Sequence, residues 1–258
     1  MTDIFTTLLF AGGLFLGMLL SLEVGRRLGA RRLAKDLEGA RPGIDAAEGA
    51  VFALLSLLVA FTISGAASRF DARRQLVAQE VNAIGTAYLR LDLLAPEDRS
   101  ALQGLFRDYV DSRIETYRKM PDTEAEQAER ARSVKFQSEI WTQAGAAVRA
   151  QGQPHVAILL MPALNDMIDI TTTRAVAART HPPMIVFVLL SGLALGCSLM
   201  AGFGMAGGKG RSWTHIIGFA AVMAITIYVI VEIEYPRLGL IRVDAVDQVL
   251  VDLRKSMQ

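Results

Sequence analysis

A chain of 258 residues that is 52% apolar, with mean hydropathy +0.34 yet 21% charged residues, is too apolar for an ordinary soluble domain and too charged for a bare membrane bundle. Segregation of the charges satisfies both constraints. The net charge of +1 gives nucleic acid no electrostatic footing as a partner, and the single cysteine, Cys197, excludes an intrachain disulfide or a cysteine metal cluster.

The first apolar run covers residues 4–22, with no charge between Asp3 and Glu23. About 20 apolar residues cross a bilayer core as a helix, and here the positive charge follows the run, as in a membrane helix rather than a signal peptide. A second run covers residues 49–68, between Glu48 and Arg69. The third extends from Met184 to about Ala206, set off by His181-Pro182-Pro183. The fourth extends from Trp213 to Val231, with Trp213 and Tyr235 where aromatic rings favour the lipid interface. The fold class expected is all-α: an integral membrane protein with four transmembrane helices and a four-helix soluble domain inserted between the second and third. Its parts are residues 1–68, a first helix pair with a basic loop; 69–182, the soluble domain; 183–235, the second helix pair; and 236–258, an amphipathic tail.

Small residues recur along the spans: Gly13, Gly17, Ser21 and Gly25 in the first; Gly49, Ala53, Ser56, Ala60 and Ser64 in the second; Ala194, Ser198, Gly202 and Ala206 in the third. Such stripes let helices approach closely in lipid. Packing within the chain, contact between subunits and a narrow pore are the alternatives. The stripes cover more surface than four helices need for one another, which predicts a homo-oligomer.

Between the second and third spans the pattern is helical. One helix continues to Leu94, burying Leu76, Val77, Ile84, Tyr88, Leu91 and Leu94. Ala95-Pro96-Glu97-Asp98 ends it and starts another, which buries Leu102, Leu105, Phe106, Tyr109 and Ile114 and reaches Met120. Pro121-Asp122-Thr123 is a turn, with Thr123 and Glu126 spaced as a capping box. A third helix buries Val134, Ile140 and Trp141 and ends at Gly152 and Pro154. A fourth, from Ile158 to Ala178, returns to the membrane, completing a bundle. From Arg69 to Thr180 there are 15 basic and 15 acidic residues, and runs such as Glu124 to Arg132 read as a solvated face. Beyond Pro236, Val246, Val249, Leu250 and Leu253 share one face of a short helix lying on the bundle or on the membrane surface.

The loop after the first span holds Arg26, Arg27, Arg31, Arg32, Lys35 and Arg41; the residues before it hold no base. Bases beside a first span keep that end in the cytoplasm. The expected location is the cell (inner) membrane, multi-pass, with the soluble domain periplasmic, although Arg69, Arg73, Arg74, Arg237 and Arg242 flank the opposite side.

Three stretches carry a resemblance: residues 61–93, with Phe61-Thr-Ile-Ser-Gly-Ala-Ala-Ser-Arg-Phe-Asp-Ala-Arg-Arg and later Gly85-Thr-Ala-Tyr-Leu-Arg-Leu-Asp-Leu93; Pro162-Ala-Leu-Asn-Asp-Met-Ile-Asp-Ile-Thr-Thr-Thr-Arg174; and Glu232-Ile-Glu-Tyr-Pro-Arg-Leu-Gly-Leu-Ile-Arg-Val243. In order and in sequence the chain resembles the bacterial membrane proteins called bestrophin-like, distantly linked to bestrophin anion channels. The resemblance implies a pentameric channel of four-span subunits with a pore lined by the second helix. It departs from bestrophins in having no acidic calcium-clasp run and no ladder of neck aromatics, and bestrophin helical domains are cytosolic, against the charge count here.

On that reading the pore-lining candidates are Phe52, Leu55, Ser56, Ala60 and Ser64, with Phe52, Leu55 or Phe61 as a hydrophobic constriction. The polar candidates are Glu48, which a helix N-terminus would stabilise; Asn165, Asp166, Asp169 and Arg174, for interhelical hydrogen bonds or a ligand; and Glu232 and Glu234, for ion pairing or cation contact. His155, His181 and His215 are too scattered for a metal site. With no nucleophile setting, phosphate loop or HExxH motif, neither an enzyme nor a cofactor is expected. The partners expected are lipid, further copies of the chain and small ions. The competing function is a membrane-anchored sensory, binding or scaffold protein with an extracytoplasmic helical bundle.

Overall fold

The computed structural model describes residues 4–35, 42–119, 123–207, 213–236 and 244–257; among them there is no strand. The helices are α1 (Ile4–Lys35), α2 (Pro42–Arg90), α3 (Pro96–Arg118), α4 (Thr123–Gln151), α5 (Pro154–Arg179), α6 (Met184–Gly204), α7 (Trp213–Glu234) and α8 (Asp244–Ser256). The turn expected at Pro121-Asp122 lies outside the described residues, as do the side chains of Thr123 and Val246. Four helical stretches, Phe5–Ala34, Ala46–Leu93, Pro154–Gly207 and Trp213–Glu234, each hold a segment long and apolar enough to cross a membrane. The chain forms two compact units: Met1–Ser68 with His181–Ile241, and Arg69–Thr180 with Arg242–Gln258.

In the first unit, Leu14 and Met18 of α1 pack with Ala194 of α6 and Ala220 and Ile227 of α7. Leu55 of α2 packs with Leu190 and Cys197 of α6. The closest approach is between α1 and α6, where lipid supplies no hydrophobic gain and small residues admit backbone contact. A Cβ on Gly25 would lie 1.9 Å from the Leu199 carbonyl oxygen, and one on Gly202 would lie 2.0 Å from the Leu22 carbonyl oxygen. Gly17 belongs to the same seam, facing Leu195 Cδ2 at 3.2 Å. A Gly25→Val variant is therefore expected to lose about 1–3 kcal/mol through overpacking. Gly13→Ala, with nothing within 4 Å of the added carbon, serves as the unchanged control in a detergent melting series.

The second unit is built on Ile84, Leu91, Phe106, Ile140, Leu164 and their neighbours. Pro96 and Pro154 each open a helix in the first turn, where a missing N–H costs nothing. Gly152, at φ 64°, closes α4 in the left-handed conformation that glycine adopts without a Cβ penalty. Within α5, Pro162 removes one backbone donor, and Arg90 donates to the neighbouring Leu159 carbonyl. Arg73 donates to the Ala177 and Thr180 carbonyls, at 3.1 and 2.9 Å, closing the other end of α5.

Two core assignments on α4 need correction. Val134 is 57% exposed and Trp141 40%. The inward line is Ser133, Gln137, Ile140, Ala144 and Ala147, one position away, because its first two members satisfy themselves by hydrogen bonding inside the core. On α8, Val249 is likewise exposed. Leu250 and Met257 enter the core of the second unit, so the tail packs on that unit. Arg254 Nη2 donates to Asp111 Oδ2 of α3 at 3.0 Å, and Gly85 leaves room for Leu253, whose Cδ1 would be 3.5 Å from an added carbon.

Candidate functional site

The second helix divides into two faces in the first unit. Leu55, Thr62 and Ala66 are buried, whereas Gly49, Ala53, Ser56, Ala60 and Ser64 are all exposed. Among the described residues the small-residue stripe of α2 is thus left uncovered, unlike Gly25 of α1 and Ala194, Ser198 and Gly202 of α6, which are buried. Beside it runs a bulky apolar seam of Leu54, Leu57 and Phe61, the last 68% exposed. The Ser56 hydroxyl donates to the Phe52 carbonyl at 2.9 Å, which leaves its oxygen lone pairs facing outward.

Two of the five pore-lining candidates turn inward. Phe52 meets Phe219 of α7 edge to face, with centroids 6.0 Å apart, and Leu55 is packed against α6. Four-residue spacing defines a stripe, but the side of the helix that neighbouring spans cover is decided by tertiary packing.

Glu48 is half-buried and lies in the second turn of α2, which begins at Pro42, beyond the first turn where the helix dipole acts most strongly. Glu232 and Glu234, in the last turn of α7, are both buried, at 3% and 0% exposed. Glu234 Oε1 is 3.0 Å from His181 Nδ1, and the His181 ring stacks on Tyr235 at 4.4 Å between centroids.

Asn165, Asp166 and Asp169 lie on the exposed side of α5, where Asn165 donates to Asp169 at 2.7 Å. Arg174, by contrast, points into the second unit and pairs with Glu80 of α2. Glu80 Oε1 also accepts from Arg113 Nε of α3 at 2.6 Å. The Tyr117 hydroxyl donates to Glu80 Oε2 at 3.3 Å and accepts from Arg113. The Tyr117 ring lies 4.3 Å from the Arg174 guanidinium and 5.2 Å from that of Arg113, within cation–π range. Burial alone would push the Glu80 carboxyl up, but the guanidiniums of Arg113 and Arg174 overcome it and hold the group below its ordinary value of 4.5. Around this cluster, Gln137 donates to the Tyr109 hydroxyl at 3.1 Å and to Thr171 at 3.3 Å, and Ser112 meets Ser133 at 2.7 Å. Sequence reading passed over Glu80 and Arg113. The available signal was register: Val77, Glu80, Ile84 and Ala87 continue one buried line, so a charge at Glu80 falls on the apolar face.

Fold and polar groups together define an all-helical membrane protein with four candidate spans. The chain belongs to the bestrophin-like family, whose Bestrophin-like domain matches residues 11–247. No curated protein matches it in sequence. Its fold is similar to crystal structures of a bacterial bestrophin homologue from Klebsiella pneumoniae. One point variant of that protein has a TM-score of 0.72 at 14% identity, covering 97% of this chain and 98% of that one. A second variant gives 0.67 at 13% identity, covering 92% and 98%.

Proposed function

We propose that the chain assembles with copies of itself into an ion channel, with small anions the class that the bestrophin resemblance implies. The observation that carries the reading is the exposed face of α2, where Ser56, Ala60 and Ser64 lie beside Phe61. A small, hydroxyl-bearing surface flanked by one large apolar side chain suits a narrow pore with a hydrophobic constriction. Phe61 takes that role in preference to Phe52 and Leu55, which face their own subunit. The sensory or scaffold reading gains no observation of its own. In liposomes under chloride gradients, the purified protein is expected to pass salt well above empty vesicles; equal leak in several gradients would overturn the reading.

In this proposal residues 1–68 and 183–235 are embedded in the cell membrane and residues 69–182 form the water-soluble domain. The basic stretch from Arg26 to Arg41 holds its loop in the cytoplasm, and the domain therefore lies on the periplasmic side. Arg26 and Arg27 pair with Glu23, but acids count little against bases in setting orientation. Conduction through an axial pore requires neither orientation. In a Cys197→Ser background, Asp98→Cys is expected to react in intact cells with a membrane-impermeant maleimide. Labelling only after lysis reverses the orientation.

A further inference from the structure

Glu80, Arg113 and Arg174 place one carboxylate between two guanidiniums drawn from three helices, all nearly or fully buried. A buried ion cluster of this kind adds little stability over apolar residues of the same volume. The apolar core of Ile84, Leu91, Phe106 and Leu164 holds the helices together without it. What charges add is discrimination: apolar contacts tolerate sliding, whereas a buried carboxylate accepts only positions that give it partners. The two guanidiniums come to different oxygens of Glu80, Arg113 of α3 to Oε1 and Arg174 of α5 to Oε2, with the Tyr117 hydroxyl of α3 also donating to Oε2. Tyr117 lies against both guanidiniums. A shift of α5 would leave Glu80 to Arg113, and a shift of α3 would leave it to Arg174, so displacement proceeds between discrete pairings rather than by gradual sliding.

We propose that this cluster is a register lock, in which Glu80 fixes α2 lengthwise against α5. Its consequence for conduction rests on the channel reading above, since Glu80 and Ala60 share the single helix α2. The lock is a positioning device, distinct from any group that touches an ion.

The test uses the full chain with Cys197→Ser and spin labels at Gln79→Cys on α2 and Thr172→Cys on α5, both exposed positions, diluted into an excess of unlabelled Cys197→Ser chains so that only the distance within one subunit is read. Pulsed-resonance distances are measured beside potassium chloride flux in liposomes. Glu80→Gln breaks the lock directly, and the triple variant Glu80→Met, Arg113→Met, Arg174→Met removes the charges while keeping the volume filled. One narrow distance is expected in the parent and a broad or two-peaked distribution in the triple variant, whose melting temperature stays near the parent's while flux per folded protein changes several-fold. Glu80→Gln shows the same broadening where it folds, and the triple variant decides where it does not. A narrow parental distance in the triple variant overturns the lock, as does failure of that variant to fold, because the cluster would then hold the core and not its register. Broadening with no parental flux keeps the lock and removes the channel reading; parental flux with an unbroadened triple variant does the reverse.

Discussion

Replacing Glu80 with alanine is expected to destabilise the protein by about 3–5 kcal/mol, the usual cost of leaving buried charge without its counter-charge. For a chain of this size that lowers the melting temperature by roughly 10 °C. The loss comes from Arg113 and Arg174, which remain buried after the acid they share is gone. Removing all three charges lacks this penalty, so the single substitution is expected to be worse than the triple. The same carboxylate predicts an acid dependence. Its pKa in the folded chain lies below the ordinary 4.5, so its contribution is fully present above the ordinary carboxylate range and is lost as pH falls through the lower, folded value. Melting curves recorded from neutral pH downward should therefore hold level to about the ordinary carboxylate range before this contribution declines. In Glu80→Ala that component of the acid slope is expected to vanish; an identical slope in both proteins would assign it elsewhere.

The second large effect is expected at Ala60. Ala60→Trp adds its bulk to an exposed face, so the melting temperature of the isolated subunit should hold. In an assembled pore the indole fills the passage, and flux in liposomes should fall at least about tenfold, a barrier increase of about 1.4 kcal/mol. Phe61→Ala should act in the opposite sense and raise flux by shortening the constriction. Leu55→Ala distinguishes lining from packing. Leu55 is buried, and its truncation should cost about 2–5 kcal/mol with little change in flux per folded protein. Unchanged flux in both Ala60→Trp and Phe61→Ala would remove α2 from the pore.

The candidate spans and the helices of the second unit were readable because their signals are local. Uncharged runs of bilayer length, Pro96 at a helix start, and Gly152 at a helix end each act within a turn or two, whereas Pro154, read as part of that end, opens α5 four residues before the expected start at Ile158. The candidate site depended on choices that only packing makes. The stripes of α1 and α2 look alike on paper, yet Gly25 meets α6 backbone while Ala60 faces outward. Arg174 was legible as an odd charge on an apolar helix, whereas Glu80 and Arg113 sat among so many surface charges that composition could not separate them. Val134 and Trp141 show the converse, since Ser133 and Gln137 took the inward line by satisfying their polar groups there.

The placement of α8 sets an order of events during synthesis. Leu250 and Met257 complete the core of the second unit, yet they are translated after α6 and α7. The α2–α5 portion therefore emerges with an apolar strip uncovered beside Gly85 and Asp111, and it stays so until both later spans have left the ribosome. Ribosome-stalled chains ending just after α7 should consequently be cut by protease within the Arg69–Thr180 portion more readily than released chains carrying α8, since transient apolar exposure during synthesis is where misassembly begins.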